Sequence, residues 1–247
     1  MIKFFNRIRR DLLKEGKTAK YLKYAVGEIV LVVIGILIAL GINQKANFNN
    51  DRKTEVTILK EIRINLLSDL TEITDDINYM DTTDAACDIV KDLLETNDVP
   101  TREFGANSLK MRTTPHFNPN KSGYKLLESK GVEIIQNDSL RRAISDHYES
   151  LYTYYAKYEQ ERIEFRILFI EPNLTKRFNW VPKPDTPFLG TFQIDQDDFI
   201  KLKNDDDFKN LITAIKRENN LVQNRANRVK QNIIALSAFL EKELKTK

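Results

Sequence analysis

The feature that most constrains this chain is a single apolar stretch, residues 25–42, that follows a strongly basic segment and has no counterpart downstream. It holds eighteen residues with one charge, Glu28. At about 1.5 Å per residue a helix of this length covers roughly 27 Å, close to the hydrocarbon thickness of a bilayer. Before it stand eight basic residues against two acidic ones, Asp11 and Glu15. The positive-inside rule then predicts a cytoplasmic N-terminus and places everything after Ile42 across the membrane. A cleaved signal peptide is the competing reading, because the strictly apolar core, residues 29–42, is short and Ala39-Leu40-Gly41 resembles a cleavage site. The basic segment is far longer than an ordinary n-region and carries its own helical pattern, so an uncleaved anchor is expected.

The 205 residues after the anchor suffice for one domain with a real core. They carry 31 basic and 33 acidic residues, so the net charge of +3 comes from the N-terminal segment. This balance argues against a nucleic-acid partner for the distal domain. The N-terminal segment suits anionic lipid headgroups, at about 1 kcal/mol per basic residue near the surface. A lone cysteine, Cys87, forms no internal disulfide.

Residues 1–23 read as a basic interfacial helix, with Ile2, Phe4, Phe5, Ile8, Leu12 and Leu13 on one side and a break at Gly16. Residues 24–42 form the transmembrane helix. Residues 43–57 are a polar stalk, either a helix continuing out of the membrane or a short linker. The distal domain is assigned to residues 58–247. There Leu59, Leu66, Ile73, Met80, Cys87 and Leu94 recur every seven residues, which predicts a helix of more than thirty residues with one apolar stripe. Cys87 lies on that stripe and is expected to be buried and inert. Residues 97–123, rich in proline and glycine, read as loop. A short helix ends at Gly131, and a longer one, capped by Asp138 or Ser139, is expected to stop at Glu171-Pro172. Residues 172–194 hold Pro172, Pro182, Pro184 and Pro187 together with Phe178, Trp180, Phe188 and Phe192, a loop with room for a short extended element but from which no sheet is expected. The last helix carries two heptad series: Phe208, Ile215, Val222, Val229 and Leu236, and Ile212, Asn219, Ala226, Ile233 and Leu240. Asn219 is their one polar member; it either fixes register in a coiled coil or reaches a polar neighbour in an ordinary bundle. The expected fold is all-α: an amphipathic helix, one transmembrane helix and an elongated helical bundle.

Catalytic chemistry finds little support. Two histidines, His116 and His147, and one cysteine are too few and too scattered for a metal site, and no phosphate loop or nucleophile elbow is present. A calcium loop begun at Asp195 fails at its sixth and twelfth positions, Ile200 and Asp206, so the acidic runs 195–198 and 205–207 are read as helix caps. No cofactor is expected. Glu28 lies about one turn inside the membrane edge, where it reaches headgroups or Lys20 and Lys23, with ion coupling or partner pairing as the alternative. Gly35 and Ala39, with Gly27 two turns earlier, form a small-residue face on which a second helix can pack. Candidate partner surfaces are Tyr152 and Tyr154, which fall off the stripe of their helix, with packing against the neighbouring helix as the favoured alternative, and Phe178, Trp180 and Phe188 in the proline-rich loop, with a loop folded back over the bundle core as the alternative.

Three segments carry a resemblance: Met1-Ile2-Lys3-Phe4-Phe5, the run Lys20-Tyr21-Leu22-Lys23-Tyr24-Ala25-Val26-Gly27-Glu28-Ile29, and Val32-Val33-Ile34-Gly35-Ile36-Leu37-Ile38-Ala39. Tyr124-Lys125-Leu126-Leu127-Glu128-Ser129-Lys130-Gly131 and Ile135-Gln136-Asn137-Asp138-Ser139-Leu140-Arg141 add to it. Together they resemble an uncharacterised family of single-pass membrane proteins abundant in Bacteroidota. Its members often continue after the anchor with an Asn-Trp-Asn-like run. Here Asn43-Gln44-Lys45-Ala46-Asn47 lacks the tryptophan, which weakens the outer interfacial anchor. The resemblance implies a Gram-negative inner membrane and a periplasmic helical domain, and brings no activity.

The expectation is therefore a non-enzymatic inner-membrane protein whose periplasmic helices assemble with themselves or within a larger envelope complex. The alternative is a sensory or ligand-binding module that signals to a separate cytoplasmic partner.

Overall fold

The computed structural model describes residues 18–246, apart from the side chains at positions 18–21, 24, 187 and 188. The interfacial helix predicted for residues 1–23 and its break at Gly16 lie outside the described residues up to position 17, and positions 18–23 already belong to the first helix. The chain forms two compact units, Met1–Glu55 and Val56–Lys247. The first helix, α1 (Thr18–Thr96), runs through both. No glycine or proline occurs between Gly41 and Pro100, so nothing in the stalk interrupts it, and the stalk is helix rather than linker.

In the first unit α1 is long and apolar enough to cross a membrane; its most apolar window has a mean hydropathy of 2.8 and none of it is buried against protein. The face of Gly27 and Gly35 is open, with nothing within 4 Å of where a Cβ would stand.

The second unit is built on an antiparallel pair, α1 and α8 (Asp206–Lys245). Among the cross-links that set their register are Arg63 with Glu241 at 3.6 Å, Gln223 to Asp81 at 2.5 Å, Asn219 to Asp84 at 2.8 Å and Lys216 with Asp88 at 2.5 Å. Each step forward on α1 is a step backward on α8. Every member of both heptad series on α8 is buried, so these stripes pack within one chain.

A third long helical run lies against this pair: α4 (Asp138–Ser145), a π turn (Asp146–Leu151), α5 (Tyr152–Phe165), a second π turn (Arg166–Ile170) and α6 (Glu171–Arg177). The predicted stop at Glu171-Pro172 does not occur. Pro172 sits in the first turn of α6, where a missing N–H is tolerated, directly after the wider π turn. Asn137, rather than Asp138 or Ser139, caps α4; its Oδ1 accepts from the Ser139 and Leu140 amides.

Two further expectations are corrected. Within residues 97–123, read as loop, α2 (Arg102–Lys110) is a helix whose cap, Thr101 Oγ1, accepts from the Phe104 amide at 3.1 Å. It approaches the next element so closely that a Cβ on Gly105 would lie 1.9 Å from the Phe192 carbonyl oxygen. That element is a hairpin where no sheet was expected: β1 (Asn179–Lys183) pairs antiparallel with β2 (Thr186–Gln193). A two-stranded ribbon has an outer edge on each strand, which tolerates the prolines that argue against an inner strand. The remaining α-helices among the described residues are α3 (Ser122–Lys130), closed by Gly131 at φ +90° and followed by a 3-10 turn (Val132–Ile134), and α7 (Gln196–Lys203).

The core divides in two. One cluster joins α1 from Ile58 to Met80 with α3, α4, α5 and the C-terminal half of α8. The other joins α1 from Cys87 to Leu94 with α2, α6, the hairpin, α7 and the start of α8. Between them lies a polar layer of Thr83, Asn219 and Arg162, all at most 1% exposed, one from each long helix.

Candidate functional site: the tyrosine helix and its clefts

The most unusual local construction is a strap, residues 113–121, laid along α1 without secondary structure of its own. Its amides are taken one after another by side chains. His116 N–H donates to both Asp76 oxygens at 3.1 Å, Phe117 N–H to Glu159 Oε1 at 2.9 Å and Asn118 N–H to Glu72 Oε1 at 2.9 Å. Asn120 N–H donates to Asp69 Oδ1 at 2.8 Å, and just past the strap, in the first turn of α3, Gly123 N–H donates to Asn65 Oδ1 at 2.8 Å. Asn65, Asp69, Glu72 and Asp76 stand at spacings of four, three and four on α1, so they form one ladder beside the apolar stripe. Backbone donors outside helices and strands need other partners, and the ladder, with Glu159 of α5, supplies them where no strand does.

Confining these carboxyl groups has an electrostatic consequence. Burial pushes Glu159 up to about 7, with Asp76 and Glu72 adding to the shift and the Phe117 amide opposing it. Burial also raises Asp69 and Asp76. Between the strap, α3 and α5 lies an open cleft of about 510 Å³, lined by Phe117, Pro119, Lys121, Lys125, Tyr152 and Glu159 among others.

A second cleft, about 460 Å³, lies between the first π turn and α8, lined by Asp146, His147, Ser150, Leu151, Tyr154, Arg228 and Asn232. His147 is 1% exposed, and its Nδ1 is 2.7 Å from Asn232 Oδ1. An amide oxygen only accepts, so His147 Nδ1 carries the proton and Nε2 is a lone-pair acceptor, for which no partner is present among the described residues. Burial lowers the His147 pKa to about 4, and the imidazole is neutral. No group of three or more His, Cys, Asp or Glu among the described residues is placed to hold a metal ion.

The predicted site residues fare differently. Tyr152 is 2% exposed and donates its hydroxyl to Asp69 Oδ2 at 2.7 Å; it is a core residue and not a partner surface. The π turn shifts the helical phase by one residue, moving Tyr152 onto the buried face where a regular helix would place Leu151. Phe178, 4% exposed, is also core, stacked among Phe104, Phe192 and Phe208. Tyr154 and Trp180 remain at the surface, 46% and 41% exposed, and the Phe188 side chain lies outside the described residues. Asn219 donates Nδ2 to the Met80 carbonyl and to Asp84, both at 2.8 Å, which is the polar-neighbour reading within a single chain. Cys87 is fully buried and its thiol is pushed up to about 12, as expected of an inert core residue. Asp205 caps α8 through the Phe208 amide at 3.0 Å and also holds Arg177 at 2.7 Å. The ladder and the second cleft were missed by sequence reasoning. The spacing of Asn65, Asp69, Glu72 and Asp76 was a usable signal for the first; the second had none.

Comparison with curated proteins returns no match, and neither does comparison with solved structures. A family model described as a family of unknown function (DUF6090) matches residues 28–220, more than three quarters of the chain. That span runs from the apolar part of α1 through the strap, both π turns and the hairpin into α8. The chain belongs to this family of unknown function.

Proposed function

We propose that the protein is a non-enzymatic, single-pass inner-membrane protein, with its N-terminus cytoplasmic and its helical domain periplasmic, that serves as an accessory or scaffold subunit of an envelope complex. The observation that carries the reading is what the domain leaves uncovered. The heptad stripes of α8 are used within the chain, while Ile167, Leu168 and Phe169 stand in a row 53%, 64% and 52% exposed on the second π turn. Three consecutive large apolar residues facing water are a fault in a free-standing domain unless they serve contact. Trp180, Val181 and Leu189 on the hairpin add exposed apolar surface. Self-assembly is the homo-oligomeric form of the same reading, through this surface or through the open Gly27, Gly35 and Ala39 face of the membrane helix. The experiment is native mass spectrometry of the full chain extracted in mild detergent, beside a Leu168→Ser/Phe169→Ser variant. A fixed-stoichiometry complex lost in the variant, with the melting temperature unchanged, supports the proposal. A monomer in both samples ends it. Reporter fusions at either end of the chain test the orientation.

A second reading, a ligand-binding module that signals through the membrane, draws support from the second cleft, which lies between the tyrosine-bearing helix and α8. A ligand bound there that leaves the oligomeric state unchanged would favour it.

A further inference from the structure

We propose that the cleft between the first π turn and α8 is a binding site for a small zwitterion of the α-amino acid type. The inference rests on the ligand-binding reading and gives it a ligand class.

Arg228 and Asp146 line the same cleft, yet neither side chain makes a hydrogen bond or an ion pair among the described residues. Opposite charges that share a wall without closing on one another match a ligand carrying both signs. A guanidinium recognises a carboxylate through two parallel N–H bonds, and an aspartate accepts from an ammonium group. The third polar group is oriented from beneath. Asn232 Oδ1 is occupied by the His147 Nδ1 proton at 2.7 Å, so its Nδ2 retains two N–H donors that have no partner among the described residues. His147 is itself 99% removed from solvent with Nε2 unpartnered, a costly position whose one hydrogen bond holds Asn232. His147 is thus a positioning residue. Ser150 supplies a hydroxyl, and Leu151 and Tyr154 supply an apolar wall for a side chain. A volume of about 460 Å³ falls within the range of small-molecule sites. The π turn itself creates the space, since the widened turn carries both Asp146 and Ser150.

The test is isothermal titration of the full chain in detergent with each of the common α-amino acids in turn. For the strongest binder, its carboxamide and its N-acetyl derivative are then used. At least one amino acid is expected to bind with one-to-one stoichiometry. Arg228→Gln and Asp146→Asn should each weaken binding about tenfold or more, the loss expected for a charge-assisted bond. The carboxamide should bind wild type as weakly as the amino acid binds Arg228→Gln, and the N-acetyl derivative should mirror Asp146→Asn. His147→Phe and Asn232→Ala should weaken binding equally and not add in the double variant, a coupling that a purely structural histidine would lack. Binding that is unchanged in Arg228→Gln overturns the site. If no amino acid binds but a fragment set finds a ligand in the Phe117–Glu159 cleft, this site fails and the ligand-binding reading survives. If nothing binds in either cleft, both fall.

Discussion

Glu159 and His147 are buried ionisable groups shifted in opposite directions, and the sign of each is measurable. Glu159 moves up, from 4.5 to about 7, so the folded state holds its proton more tightly than the unfolded chain. Its contribution is favourable below about 4.5 and is lost as pH rises toward 7. His147 moves down, from 6.5 to about 4, so its contribution is present above 6.5 and is lost as pH falls toward 4. Glu159→Gln is therefore expected to melt higher than wild type at pH 8, with the gap closing by pH 4.5. For His147→Gln the melting difference from wild type should narrow as pH falls below 6.5. Thermal melts across this range check both, and a parallel offset at all pH values would contradict the assignment. Asn219 supplies a third residue-scale test. Its two bonds tie α8 to α1 in the polar layer, and Asn219→Ala should lower stability by about 2 kcal/mol, because it leaves Asp84 without that partner. Denaturant titration measures it. Asn219 was visible in the sequence as the odd member of a heptad series; its partners were not, since Met80 and Asp84 lie far away along the chain.

At the scale of elements, α1 and α8 were legible because each holds a seven-residue apolar repeat over many turns without glycine or proline. The elements that were not legible draw their stability from neighbours. Helix α2 is nine residues long, too short to persist alone, and it forms where Gly105 lets it lie against Phe192. Gly105→Ala should force α2 and β2 apart and lower stability by about 1–3 kcal/mol, the usual range for overpacking. The hairpin was hidden by its prolines, and the phase of the tyrosine helix was hidden by a π turn that leaves no compositional mark. The strap is the sharpest case. Its conformation is set by carboxyl groups on other elements, so no local pattern in residues 113–121 encodes it. Asp76→Ala is expected to accelerate hydrogen exchange at the His116 amide while the amides of α8 keep their protection.

Across the domain, the polar layer separates two apolar cores that share the same three helical runs. Arg162 lies in that layer at 1% exposure, donating Nη2 to the Thr113 carbonyl at 3.2 Å, with Nε and Nη1 unpartnered among the described residues. Burial lowers its pKa to about 10, so it stays charged at neutral pH. A buried cation with few partners stabilises poorly, and an apolar residue of similar length often serves stability better. Arg162→Met is expected to leave stability equal or higher by denaturant titration. A large loss would instead assign Arg162 a structural role through its Thr113 bond. The candidate site was the least legible part of the molecule. Its charges, Asp146 and Arg228, are ordinary surface residues in the sequence, and only folding brings them to one cleft.

The first π turn also says something about how the chain tolerates change in length. A π turn accommodates one residue more than a regular helix of the same span, so it is the structural form of a single inserted residue. Removing Ser150 should let residues 146–151 relax to an α-helix while Tyr148 and Tyr152 keep facing the core. In most core helices such a deletion would rotate every downstream side chain by about 100° and abolish folding. Here it should yield a folded protein that has lost its cleft.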